Sequence, residues 1–217
     1  MNYVYVVLTV ILAYLLGSIS FAVVFSKIFM KKDVRELGSG NAGTTNVIRT
    51  GGFKVGAITF LGDVLKGFVA CFVGKLVFAA CFENGEKWAV YGAFICGLAC
   101  MLGHVFPIFF QFKGGKGIAT SVGIFAVCCW PAILLGLAVF TLGVFITRIV
   151  SISSIIAAIT VASCSMAFHK LINPTAQFWP IAVLSAVMGI LVIAKHSDNI
   201  KRLINGTEKK MTFGRKK

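Results

Sequence analysis

The chain is predicted to be an all-α, polytopic integral membrane protein with seven transmembrane helices. Three observations predict it. Of 217 residues, 58% are hydrophobic and only 13% are charged, with a mean hydropathy of +0.92; soluble domains carry about 25% charged residues. Apolar stretches recur near the length of about 20 residues that a helix needs to cross a bilayer. Finally, 16 of the 21 lysines and arginines fall in four segments, 31–56, 111–116, Arg148 and 195–217, which lie between or after those stretches. That is the positive-inside pattern. The formal charge of +14 therefore reads as topology and attraction to anionic membrane lipid. It does not read as nucleic-acid binding, since no such motif or aromatic-interleaved basic patch is present.

The expected spans, in order, are 4–27, 57–82, 88–110, a divided stretch over 117–147, then 152–170 and 178–194. The first lacks the basic n-region and small-residue cleavage site of a signal peptide and reads as a retained span. The stretch 117–147 has 31 residues with Trp130-Pro131 at its centre. It is either one long span or a tight pair, and parity chooses. With the basic tail in the cytoplasm, a single crossing exports segments 31–56 and 111–116. A pair turning at Trp130-Pro131, where proline breaks a helix, keeps every basic segment inside.

The expected topology is thus N-terminus outside and C-terminus cytoplasmic. The outer connections are 83–87, the Trp-Pro turn and 171–177. The chain reads as a single domain, 1–217, whose motif-bearing segments 31–56, 111–120, 147–151 and 195–217 face one compartment. The seven cysteines lie within or at the ends of apolar runs, without metal-ligand spacing, and read as small apolar fillers. No metal site or cofactor is expected.

The first motif, LGSGNAGTTNVIRTGG (37–52), packs five glycines among Ser39, Asn41, Thr44, Thr45, Asn46 and Arg49. Glycines let backbone N–H groups converge on an anion. Arg49 can grip phosphate through two parallel bonds. A flexible loop needs glycine and serine, but not this density of donors around one arginine.

The second motif, GHVFPIFFQFKGGKGIAT (103–120), carries Gly114, Gly115, Lys116 and Gly117 straight into a helix expected to start near Ile118, with Thr120 in its first turn. A helix N-terminus offers free N–H groups and about +0.5 charge to an anion. This is not a Walker A loop, because GxxxxGK[ST] is not satisfied. A purely topological loop would explain the lysines and leave the glycines unexplained.

Thr147-Arg148 is a lone basic corner, by itself a topology signal. In 195-KHSDNIKRLINGTEKK-210, His196 and Asn199 are spaced i, i+3. They share a face if a helix continues from the last span. Glu208 follows the Asn205-Gly206 turn. Asp63 and Lys66, also i, i+3, read as a self-neutralising pair. His104 reads as a helix–helix hydrogen bonder or a support for the second motif.

Three motifs in this order, over nearly the whole chain, resemble the bacterial acyl-phosphate-dependent glycerol-3-phosphate acyltransferase (PlsY) family: GSGNAGTTNVIRT (38–50), GHVFPIFFQFKGGKGIAT (103–120) and HSDNIKRLINGTE (196–208). The resemblance implies transfer of a fatty acyl group from acyl phosphate to the 1-hydroxyl of sn-glycerol 3-phosphate in the bacterial cytoplasmic (inner) membrane, giving lysophosphatidic acid and phosphate. It implies no cofactor and no obligatory protein partner. Carried onto this chain, it makes His196, Asn199, Ser39 and Lys116 the catalytic candidates. Arg49, Asn41, Asn46, Gly114, Gly115, Gly117, Thr120, Thr147, Arg148 and Glu208 become substrate or phosphate ligands. No HxxxxD pair follows any histidine. The expectation is that His196 and Asn199 orient the hydroxyl while the acyl phosphate's own oxygen takes the proton, with His196 as base the rival.

Two other classes compete. A transporter of phosphorylated small molecules fits the spans and anion motifs, but the motifs gather on one side and no inverted repeat is visible. A lipid kinase lacks a nucleotide motif and a carboxylate cluster for magnesium.

Overall fold

The computed structural model describes residues 2–172 and 179–211, and the described residues contain no β-strand. The helices are α1 (Asn2–Gly17), α2 (Phe21–Met30), α3 (Thr44–Cys81), α4 (Gly85–Val105), α5 (Ile118–Cys128), α6 (Trp130–Thr147), α7 (Val150–Ile172), α8 (Trp179–Ala194) and α9 (Ser197–Ile204). Short 3-10 turns at Val34–Glu36 and Ile108–Phe110 sit in the first and second motif segments.

Among the described residues, five stretches are long and apolar enough to cross a bilayer: Tyr3–Met30, Thr44–Cys81, Gly85–Phe110, Trp130–Thr147 and Val150–Leu171. A sixth is the pair Ile181–Ala194 and Ser197–Ile204, if its 54° bend counts as one broken span. The all-helical, multi-pass class is therefore as expected, while seven full spans are not shown. The stretch 117–147 divides at Cys129, and α6 opens on Trp130-Pro131. Proline is tolerated there because the first helical turn needs no N–H partner. However, α5 has 11 residues, about 16 Å at 1.5 Å per residue, against a hydrocarbon core of about 30 Å. The expected outer connection 171–177 falls largely outside the described residues.

Three other boundaries differ from the sequence reading. The first span is broken at 18–20, because buried Lys66 draws the Gly17 and Ile19 carbonyls to its ammonium at 3.0 and 2.8 Å. Helix α3 begins at Thr44, so half of the first motif is helical, with a kink at Gly52 (φ 84°). The helix over 195–204 does not continue α8; it restarts at Ser197 after a bend at His196.

Close backbone approach holds the bundle together. A methyl group on Gly17 would overlap the Cys100 carbonyl, and one on Gly103 the Tyr14 carbonyl, where α1 meets α4. Gly74 and Gly92 do the same between α3 and α4, and Gly67 and Gly123 between α3 and α5. Lipid supplies no hydrophobic drive between helices, so small residues that let backbones touch supply packing instead. A buried apolar cluster around Met101, Ile124, Ala132, Met188 and Val192 ties α4 and α5 to α6 and α8.

Candidate active site

All four motif segments meet at one end of the bundle, around a cavity of about 580 Å³. Its polar wall includes Ser39, Arg49, Lys116, His196, Asn199 and Glu208. An adjoining polar hollow of about 250 Å³ is lined by Gly114 and Gly115 and shares Ser39, Asn41, Lys116, Asn199 and Arg202 with the first. Lys116 and Asn199 therefore belong to the wall that the two basins share.

The first motif is shaped from within by Asn46. Its buried amide donates to the carbonyls of Val34, Leu37 and Asn41 at 3.0, 2.9 and 3.1 Å and accepts the Ser39 N–H at 2.9 Å. That side chain folds the loop, so its donors are already engaged. The fold presents Ser39 and Arg49 instead, both exposed on the wall. Thr44 also lies on the wall, its buried hydroxyl without a hydrogen-bond partner. Arg35 joins the two motifs, pairing with Asp33 at 2.8 Å and donating to the Phe110 carbonyl at 3.0 Å.

The second motif turns at Phe106-Pro107 and is pinned by Gly115 N–H donating to the His104 carbonyl at 3.1 Å. Gly117 caps α5 in the left-handed region (φ 85°), which glycine adopts without a Cβ penalty. Gly117, Ile118 and Ala119 then line the cavity. The first turn of α3, at Thr44 and Thr45, lines it too. Two helix N-termini thus present free N–H groups and partial positive charge to one space. Sequence reasoning found the α5 terminus and missed that of α3.

The third motif builds a network. The Lys116 ammonium donates to Asn199 Oδ1. Asn199 Nδ2 donates to Glu208 Oε1 at 2.6 Å, Ser151 Oγ donates to the same oxygen at 2.9 Å, and Arg202 Nε donates to Oε2 at 2.7 Å. Arg202 and Ser151 had no signal of their own in the sequence; only Glu208's need for partners reveals them. Burial pushes the Glu208 carboxyl up, but the bonds from Arg202, Asn199 and Ser151 outweigh it and hold the group below its ordinary range. Burial lowers Lys116 to about 8, with repulsion from Arg202 and Arg49 adding to it.

His196 is 3% exposed, and its Nδ1 lies 2.7 Å from the Val192 carbonyl. That contact places the proton on Nδ1 and leaves Nε2 as an acceptor. Burial lowers its pKa to about 4, so at neutral pH the ring is uncharged and a weak base. His196 and Asn199 both line the cavity although no continuous helix carries them.

Three candidates stand apart from both basins. Thr120 is fully buried, with its backbone against Gly67 of α3. Thr147 spends its hydroxyl on backbone, donating to Gly143 O at 2.7 Å and accepting from Ile149 N–H at 3.0 Å. Arg148 ends α6 in the left-handed region with its side chain exposed. Its carbonyl accepts the Met211 N–H at 2.6 Å, anchoring the segment that carries Glu208. Among the described residues, no group of three His, Cys, Asp or Glu side chains could hold a metal ion.

A family model described as glycerol-3-phosphate acyltransferase matches residues 7–206. The chain belongs to the glycerol-3-phosphate acyltransferase family. It is 40% identical to glycerol-3-phosphate acyltransferase 2 of Bacillus anthracis, over 94% of this chain and 98% of that one. It is 41% identical to the glycerol-3-phosphate acyltransferase of Thermoanaerobacter sp. (strain X514), over 95% and 96%. Its fold matches the crystal structure of PlsY (YgiH), an integral membrane glycerol 3-phosphate acyltransferase, in its glycerol 3-phosphate form. The TM-score is 0.81 at 34% identity, covering 97% of this chain and 96% of that one. The lysphosphatidic acid form of the same protein matches with a TM-score of 0.79. The acyltransferase is thus a multi-pass integral membrane enzyme of phospholipid biosynthesis, and family membership decides against the transporter and kinase readings.

Proposed function

We propose that this acyltransferase moves a fatty acyl group from acyl phosphate to the 1-hydroxyl of sn-glycerol 3-phosphate, yielding lysophosphatidic acid and inorganic phosphate. The observation that carries the reading is a polar hollow adjoining a larger, mainly apolar cavity with a polar wall, the two sharing Lys116 and Asn199. Two phosphate-bearing substrates need two anion sites side by side. An apolar cavity of about 120 Å³ between α5, α6, α7 and α8 shares Phe60, Ile118, Phe140 and Ser154 with the larger basin. That continuity suits an acyl chain.

The chain's residues supply position and charge. Arg49, Lys116 and Arg202 offset the repulsion of two phosphates, and the N-termini of α3 and α5 add fixed dipoles. His196 Nε2 accepts a hydrogen bond from the glycerol hydroxyl as it binds and aims its oxygen at the acyl carbon. The hydroxyl oxygen forms the ester bond, the acyl–phosphate C–O bond breaks, and the O–H swings from His196 to the departing phosphate oxygen, which takes its proton. A ring titrating near 4 suits orientation better than base catalysis. Asn199 holds Lys116, and Glu208 holds Asn199. Arg148 contributes through its carbonyl, which anchors the segment carrying Glu208.

The same reading places the site on the cytoplasmic face of the bacterial inner membrane. It keeps one domain, seven crossings and an external N-terminus, with α5 as a short span sheltered by its neighbours. The test is phosphate release by purified protein from palmitoyl phosphate, with neither metal nor ATP. Release that requires glycerol 3-phosphate supports the reading. Turnover with acyl-CoA alone would discard the donor, and silence with every donor would discard the function.

A further inference from the structure

Beneath the second-motif loop lie three buried ionisable side chains that the chemistry above does not use. Asp63 and Lys66 are each 1% exposed at the side chain and pair at 2.8 Å; His104 is 5% exposed, with Nδ1 3.4 Å from the same Asp63 oxygen. Such groups are costly inside a membrane protein. Lys66 is accounted for, since its ammonium also holds the Gly17 and Ile19 carbonyls at the break between α1 and α2. It already balances the charge of Asp63, so His104 is not needed for neutrality. Neither His104 Nδ1 nor Asp63 Oδ1 meets hydrogen-bond geometry with any partner, so the 3.4 Å approach between them is a close polar contact.

His104 and Asp63 border the larger basin, and His104 also supports the loop. Its carbonyl accepts the Gly115 N–H at 3.1 Å. Its ring lies under Gly115, where a methyl group would overlap Nε2 and approach the Ala42 carbonyl at 2.6 Å. A methyl on Gly114 would overlap the His104 carbonyl. Backbone and ring of one residue therefore support two successive glycines, and the next residue is Lys116.

We infer that His104, oriented by Asp63, is a positioning residue that sets the Lys116 ammonium in the wall that the two basins share. The chain of contact runs from the α1–α2 break through Lys66 and Asp63 to His104, and from there to Gly115 and Lys116. The inference rests on Lys116 being a phosphate ligand.

The test compares His104→Asn, which keeps an N–H near Nδ1, with His104→Gln, which keeps one near Nε2, and His104→Leu, which keeps only volume. Steady-state kcat and KM for both substrates are read beside the melting temperature. His104→Asn is expected to stay within about threefold of the parent, as for a weakened hydrogen bond. His104→Gln and His104→Leu are expected to fall about 100-fold, the scale of an ångström of misplacement, with melting unchanged. In a Lys116→Ala background the His104→Leu loss should vanish, because a residue acting through Lys116 has nothing left to position.

Activity retained by His104→Gln but lost by His104→Asn would overturn the inference and make Nε2 the working atom. Equal losses in all three, tracking lower melting, would reduce His104 to packing. Losses that multiply with Lys116→Ala would show that it acts elsewhere. Any of these leaves the proposed reaction standing if phosphate release still requires glycerol 3-phosphate. An undiminished Lys116→Ala variant would sink this inference and the role of Lys116 together.

Discussion

Lys116 should give the enzyme an alkaline limb that can be moved. Burial, reinforced by Arg202 and Arg49, brings its pKa from 10.5 to about 8. At 1.36 kcal/mol per unit, the empty site disfavours the ammonium by about 3 kcal/mol relative to water. The sign follows. A lysine depressed in the folded protein loses its charge as pH rises through about 8, and phosphate binding weakens with it. Above that point kcat/KM for glycerol 3-phosphate should fall about tenfold per pH unit, since only the charged fraction binds. A phosphate beside the ammonium favours the charged form, so the limb in kcat should lie higher than the limb in kcat/KM.

The assay is phosphate release from acyl phosphate between pH 6.5 and 9.5 (values set by the experiment, roughly bracketing the limb), corrected for spontaneous hydrolysis. Lys116→Arg lowers the absolute rate because the fork differs in shape from an ammonium. It should nonetheless abolish the limb, because a guanidinium stays charged throughout. A parent profile flat to the top of that range, or a limb that persists in Lys116→Arg, would refute the assignment of this group.

Other outcomes follow from the same contacts. Glu208→Gln weakens the bonds to Arg202 and Asn199, and with charged hydrogen bonds at about 1.5–3 kcal/mol, kcat/KM should drop roughly 10–100-fold in steady-state assays. Asn46→Ala removes the clamp on the first motif and should lower stability by about 1–3 kcal/mol, read as a reduced melting temperature in detergent. His196→Gln should lose less than about tenfold if the ring only orients the hydroxyl, whereas a loss of about 10²–10⁴ would restore it as the base. Treatment with a metal chelator should leave phosphate release unchanged; loss of activity reversed by adding a divalent ion would overturn the expectation that no metal takes part.

Much of this architecture was legible because it depends on neighbouring residues. Apolar run length and basic segments announce a membrane bundle, and they hold wherever helices pack. The start of α5 at Ile118 follows from Gly117 just before an apolar run, and the break at Cys129, just before Trp130-Pro131, from proline's missing donor. The breaks at 18–20 and at His196 were not legible. The first depends on Lys66, 46 residues after Ser20, reaching one carbonyl at the end of α1 and one inside the break. Asn46 and Thr147 show the same limit from the other side. Asn46 looked like a ligand by type and Thr147 by family resemblance, and each has its polar atoms engaged by backbone once folded.

The sequence by itself determined the membrane class, the motif segments and the chemistry their residue types favour, because these rest on composition and local spacing. Only the tertiary structure decided which donors remain free for substrate. It set Lys116 on Asn199, Glu208 between Arg202 and Ser151, and His104 beneath Gly115. A side chain's partners come from whichever helix packs opposite, and one hydrogen-bonding group engaged inside the fold is one fewer for the ligand.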